Sequence, residues 1–84
     1  MRIGLVGLGK MGFNMRERLR SRGVDVVGYD PRPEVSDVET LAGLVDSLPA
    51  PRTVWVMVPA GEATRVTIRE LSELLEPGDL LIDG

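Results

Sequence analysis

The chain has 84 residues and a formal net charge of −3, with 10 Lys and Arg against 13 Asp and Glu, and it is 43% hydrophobic and 27% charged. A chain of this size is one small domain at most, burying about 60–65% of the surface its unfolded form would expose, and its composition argues against disorder. The acidic balance and a single Trp, Tyr and Phe leave no basic or stacking footprint for nucleic acid, while the lack of Cys and His excludes disulfide scaffolds and zinc sites.

Residues 2–7 read as a short buried strand carrying the apolar run Ile3-Gly4-Leu5-Val6. Gly4, Gly7, Gly9 and Lys10 deny this end a continuous signal-peptide core, and no stretch approaches the roughly 18 apolar residues that span a bilayer. The Cys-free composition hints at a cytosolic setting. Residues 10–22 read as a helix with Met11, Met15 and Leu19 on one stripe and the arginines, Arg16 among them, largely outside it. Gly23 suits the position just past the helix, and the arginines of the last turn suit the negative end of its dipole.

A second strand runs from Val24 to Tyr29 and is closed by Asp30-Pro31-Arg32-Pro33, since two prolines this close forbid an immediate helix interior. Ser36-Asp37-Val38-Glu39 has the capping-box pattern and predicts a short helix with Val38, Leu41, Val45 and Leu48 on one face, ended by Pro49-Ala50-Pro51. Thr53 to Val58 is a β-branched apolar run, as expected of a strand covered on both faces. Trp55 within it reads as core. Gly61 to Leu75 predicts a further helix, with Glu62, Arg65, Arg69, Glu70 and Glu73 on a solvated face, and Leu80-Leu81-Ile82 a last strand.

Strands alternating with helices predict an α/β fold with a doubly wound parallel sheet. Right-handed crossovers then bring the glycine-rich turn, Asp30, the Pro59-Ala60-Gly61 loop and Asp83 to one rim, where open α/β sheets bind ligands. The sheet is expected to be incomplete, because no following helix covers the last strand.

The glycine turn is the feature with chemistry. Gly7-Leu8-Gly9-Lys10-Met11-Gly12 follows a strand and opens a helix, and Asp30 lies eighteen residues further on. In this context the first glycine permits the tight turn, the second lets backbone approach a pyrophosphate, and the third lets helix and strand pack closely. Asp30 is placed to accept hydrogen bonds from both adenosine ribose hydroxyls, which favours NAD over NADP; the plainer alternative is a solvated turn acid. Arg32 is a candidate for stacking on adenine or pairing with a 2′-phosphate, and otherwise a surface arginine. Lys10 adds charge near the phosphates, or is simply solvated at a helix start.

Ile3 to Gly12 with Met15 resembles the N-terminal signature of the β-hydroxyacid dehydrogenases. Gly28-Tyr29-Asp30, Val56-Met57-Val58-Pro59-Ala60-Gly61 and Glu76-Pro77-Gly78-Asp79 leading into Ile82-Asp83-Gly84 are similar to the decarboxylating 6-phosphogluconate dehydrogenases, NAD-preferring bacterial type. The resemblance implies a Rossmann-like domain that binds NAD, with NADP as the alternative, through Gly7, Leu8, Gly9, Lys10, Met11, Gly12, Asp30, Arg32, Val58, Pro59 and Ala60. It also implies a sugar-acid phosphate substrate and a homo-oligomer formed through regions outside this chain. The family's catalytic and substrate-binding residues follow the last strand, so none is carried over here. Sister enzymes acting on 3-hydroxyisobutyrate or tartronate semialdehyde, and a non-catalytic NAD-binding module, are the alternatives. Between Glu34 and Val35 the family carries the rest of a helix and the start of a strand. The open edge beside Asp30 that its loss would leave favours a missing segment over a true deletion.

Overall fold

The computed structural model describes residues 2–58 and 61–83. Its apolar runs form a parallel sheet in which β1 (Arg2–Val6) lies between β2 (Asp25–Tyr29) and β3 (Thr53–Val56), with β4 (Leu80–Asp83) beyond β3. Leu5 is in register with Gly28 and Trp55, and Val6 with Tyr29 and Val56. Because side chains alternate along a strand, neighbours in register share a face. Val6, Val54 and Val56 therefore meet Leu41, Leu44, Val45, Leu48 and Leu71 on one side, and Leu5, Leu8 and Val26 meet Met15 and Leu19 on the other.

Helix α1 (Lys10–Ser21) covers the second face, while α2 (Leu41–Asp46) and α3 (Glu62–Leu74) cover the first. This is the doubly wound arrangement expected from the alternating pattern. Leu44 and Leu71 are fully buried where α2 and α3 meet the sheet, and each such side chain contributes roughly 1.5–3 kcal/mol. No helix among the described residues is long and apolar enough to cross a membrane.

Helix α1 ends as its sequence predicts. Gly23, at φ 86°, donates to the Arg20 carbonyl and Val24 donates to that of Leu19, which is the Schellman pattern. Val24 and Leu19 also pack against the same cluster. The buried stripe of this helix differs from the expected one, however. Met11 is 74% exposed, whereas Arg16 is only 5% exposed. Gly12 brings the first turn so close to the sheet that the side chain one turn on is covered. Arg16 satisfies its charge there by donating to Glu17 (3.0 Å), to the Val35 carbonyl (2.8 Å) and to Asp37 (3.2 Å). Its guanidinium also lies 4.9 Å from the Phe13 ring centroid.

The capping box at Ser36 does not form. Helix α2 begins at Leu41 with Thr40 as its cap, whose Oγ1 accepts from the Gly43 N–H at 2.9 Å. Ser36 and Asp37 are engaged elsewhere, on the outer edge of β2. Asp37 accepts from the Gly28 N–H at 2.8 Å and donates its own N–H to the Gly28 carbonyl at 2.9 Å. Ser36 Oγ accepts from the Asp30 N–H, and Arg20 donates to the Val26 carbonyl at 2.7 Å. Side chains and one loop amide thus take the places a neighbouring strand would fill, so the edge beside Asp30 is closed rather than open.

Candidate dinucleotide site

The turn after β1 is built by what its glycines exclude. Gly7 has φ 97°, and a Cβ there would lie 2.8 Å from the Met57 carbonyl oxygen. A Cβ on Gly12 would collide with the carbonyl oxygen of Gly7. These two glycines let turn, helix and β3 close on one another. Gly9 is different: a Cβ there would meet nothing within 4 Å. Packing inside the protein does not require glycine at that position, so the bare backbone faces outward.

Gly9 is also the N-cap of α1, with no side-chain cap hydrogen bond and no acid in the first turn. The first N–H groups of a helix have no intrahelical acceptor and carry the positive end of the dipole. They remain available to an anion at the point where the backbone is most approachable.

Asp30, at the tip of β2, is 8% exposed. Its Oδ2 accepts from the Leu8 N–H at 2.8 Å, and its Oδ1 accepts from the Arg32 N–H and Nε, both at 3.0 Å. Arg32 donates in addition to the Leu8 carbonyl at 2.8 Å. Burial opposes ionisation of Asp30, but the Arg32 guanidinium and the two backbone N–H donors outweigh it and hold the carboxyl below the usual aspartate range.

These groups border a cleft of about 720 Å³ lined by Val6, Gly7, Gly9, Lys10, Met11, Gly12, Tyr29, Asp30, Pro31, Arg32, Met57, Val58 and Thr67. Eight of the residues expected from the sequence are thereby brought together: Gly7, Gly9, Lys10, Met11, Gly12, Asp30, Arg32 and Val58. Leu8 is not among the lining residues. Its side chain is 2% exposed and sits in the core beneath α1 against Gly28, so only its backbone takes part. Pro59 and Ala60 lie outside the described residues. Val6, Tyr29, Pro31, Met57 and Thr67 were not anticipated. Tyr29 and Met57 could have been found from their places at strand tips, whereas nothing local marks Thr67, which reaches the rim only because α3 packs beside it. Among the described residues no cluster of His, Cys, Asp or Glu could hold a metal ion.

A glycine turn that needs no side chain on its outer face, an uncapped helix start and a volume of this size fit a dinucleotide. The class is a Rossmann-like dinucleotide-binding domain. The family profile described as the NAD binding domain of 6-phosphogluconate dehydrogenase matches residues 2–84, and the chain belongs to that family. YqeC of Bacillus subtilis is 39% identical over 93 positions, covering 100% of this chain and 31% of its own length. The NAD(+)-dependent, decarboxylating 6-phosphogluconate dehydrogenase of Haloferax volcanii is 33% identical over 93 positions with the same coverage. The Plasmodium falciparum 6-phosphogluconate dehydrogenase, whose structures include complexes with its cofactor NADP+ and its substrate 6-phosphogluconate, superposes with a TM-score of 0.90 at 29% identity. That match covers 100% of this chain and 21% of the other. The chain spans about a third of the length of the curated relatives it matches first.

Proposed function

We propose that this chain is the cofactor-binding part of a decarboxylating 6-phosphogluconate dehydrogenase that prefers NAD. The observation that carries this reading is Gly9, where bare backbone meets open space at the start of an uncapped helix. In the reaction, the substrate's C3 hydroxyl is oxidised and the resulting β-keto acid loses carbon dioxide, giving ribulose 5-phosphate. The nicotinamide, when bound, supplies the hydride acceptor.

This chain's residues bind and orient. The Gly7-to-Gly12 turn and the first N–H groups of α1 hold the pyrophosphate, with Lys10 adding positive charge. Asp30 and Arg32 border the adenosine end, and Met11 and Val58 border the nicotinamide end. The groups that move protons on the substrate lie outside this chain. The preference for NAD over NADP rests on the carboxylate at the tip of β2.

The full-length protein acts in the cytoplasm as a homo-oligomer assembled through regions outside this chain. Its alignments with relatives run longer than the chain itself, and the reading puts the extra residues between Glu34 and Val35. The test is titration of NAD+ and NADP+ into the full-length protein, followed by turnover assays. Binding with release of carbon dioxide from 6-phosphogluconate is the expected result. Turnover of 3-hydroxyisobutyrate or tartronate semialdehyde instead would assign a sister enzyme, and binding with no turnover a non-catalytic module.

A further inference from the structure

Within α1 only Gly12 and Arg16 are buried, and an arginine is almost never buried unless something pairs with it. The stem of Arg16 crosses β2 where that strand has no side chain: a Cβ on Gly28 would lie 3.2 Å from Arg16 Cδ. Its head reaches past the strand to the Val35 carbonyl and to Asp37. Arg20, one turn further along α1, donates to the same carboxylate at 2.7 Å. Asp37 Oδ2 thereby accepts from Arg16, from Arg20 and from the Gly28 N–H.

The segment held in this way carries the adenosine side of the cleft. Ser36 Oγ accepts from the Asp30 N–H at 3.1 Å, and the Val35 N–H donates to the Arg32 carbonyl at 3.2 Å. Pro31 and Arg32, inside the loop that these bonds close, line the cleft. The helix that supplies both arginines starts at Gly9, where the backbone is open to a pyrophosphate. Arg16 and Asp37 therefore tie the two halves of the site together from behind.

We propose that Arg16 and Asp37 form a brace beneath the site that fixes the spacing between the glycine turn and the adenosine loop, and so presets the cleft for a dinucleotide. The brace goes beyond the contacts assigned to the cofactor and rests on the dinucleotide-binding reading. Neither residue lines the cleft, so both are positioning residues. Charge-assisted hydrogen bonds hold such a spacing better than neutral ones. A site already held in its bound geometry loses less freedom when the ligand arrives, and the difference appears as affinity. Arg52 gives an internal comparison. It makes bonds of the same kind, to one backbone carbonyl and two carboxylates, but at the end of the sheet away from the cleft.

The test measures urea midpoints and Kd for NAD+, by calorimetry, on the full-length protein as wild type, Arg16→Met, Asp37→Asn, the double variant and Arg52→Met. Arg16→Met keeps an unbranched stem over Gly28 and removes the charged head. Each brace substitution should raise Kd by about fivefold. The double variant should add no more than about twofold to the larger single effect, because the effects of coupled residues do not add. Arg52→Met should lower the urea midpoint as Arg16→Met does, yet leave Kd within about twofold of wild type, since distant sites act independently. Asp37, with a side chain 32% exposed, carries the test if Arg16→Met does not fold. An unchanged Kd in the folded brace variants would overturn the proposal. So would an equal loss of affinity in Arg52→Met, which would make weaker binding a consequence of lower stability alone. If wild type binds no NAD+, the dinucleotide-binding reading itself fails, an outcome distinct from binding that the brace variants leave unchanged.

Discussion

The two ends of the sheet are finished in opposite ways. At the end where the strands begin, the chain satisfies its own polar groups. Arg52 donates to the Val45 carbonyl (3.0 Å), to Glu76 (3.1 Å) and to Asp79 (3.3 Å), while Asp79 accepts from the N–H groups of Arg52 (2.6 Å) and Glu76 (2.8 Å). Arg2 closes the other corner on Asp25 and the Ser47 carbonyl. At the end where the strands finish, the start of α1 has no side-chain cap and Gly9 faces open space. The first N–H groups of α1 lie at an exposed helix start, where an anionic ligand can reach them. The contrast separates residues that hold the fold from residues that wait for a cofactor.

The largest expected effect crosses that division. Gly12 sits at the ligand end, yet its bareness serves packing, because a Cβ would strike the Gly7 carbonyl. Gly12→Ala should lower unfolding free energy by about 1–3 kcal/mol, as overpacking does. An unchanged urea midpoint would show that helix and turn have room to separate.

Gly9→Ala should behave in the opposite way. The added methyl meets nothing in the protein, and the poorer N-cap costs no more than about 1 kcal/mol. Dinucleotide affinity should nonetheless fall by about tenfold, or 1.4 kcal/mol, because the methyl stands where the pyrophosphate approaches. If calorimetry shows unaltered affinity, Gly9 does not face the cofactor.

At the closed end, Asp79 supplies a pH dependence. The N–H groups of Arg52 and Glu76 are the chief cause of a carboxyl held below the ordinary aspartate value of 3.8. A depressed native pKa means that the unfolded state binds protons more readily as acid is added. The stabilisation is therefore complete above 3.8 and is lost as pH falls through the lower native value. Asp30 acts in the same direction. Thermal melts should show wild type losing stability below that point and Asp79→Ala losing less. Parallel losses in the two proteins would place the acid sensitivity elsewhere. The smallest effect belongs to Arg2→Ala. Its pair with Asp25 is well exposed, and such surface pairs contribute about 0–1 kcal/mol; a larger drop in the urea midpoint would make the Arg2 corner part of the core.

Much of the fold was legible because it depends on near neighbours in sequence. Alternating apolar runs marked each strand, and the boundaries moved only at their ends: β1 stops at Val6 rather than Gly7, and β3 at Val56 rather than Val58. Gly23 ended α1 through bonds to residues within five positions. Most of the expected cofactor residues lined one cleft for the same reason, since a strand followed at once by a glycine turn and a helix leaves the turn few places to go. The failures were long-range. Ser36 had the spacing of a cap, but the exposed edge of β2 claimed it together with Asp37. Leu8 lay in the motif, but its side chain found the core under α1. Arg16 fell outside the expected apolar stripe, but Gly12 brought the helix down onto the sheet and covered it.

By itself, the sequence determined the order of strands and helices, the glycine turn with its acid, and the family. Those follow from backbone freedom at glycine, side-chain periodicity and helix termination, all of which act over a few residues. Only the tertiary structure decided that Asp30 is already bonded to Leu8 and Arg32, that Thr67 reaches the cleft, and that Gly9 alone in the turn is bare toward open space. Each of these depends on which distant atoms arrive within hydrogen-bonding or van der Waals distance, and that is set when the sheet and its helices pack.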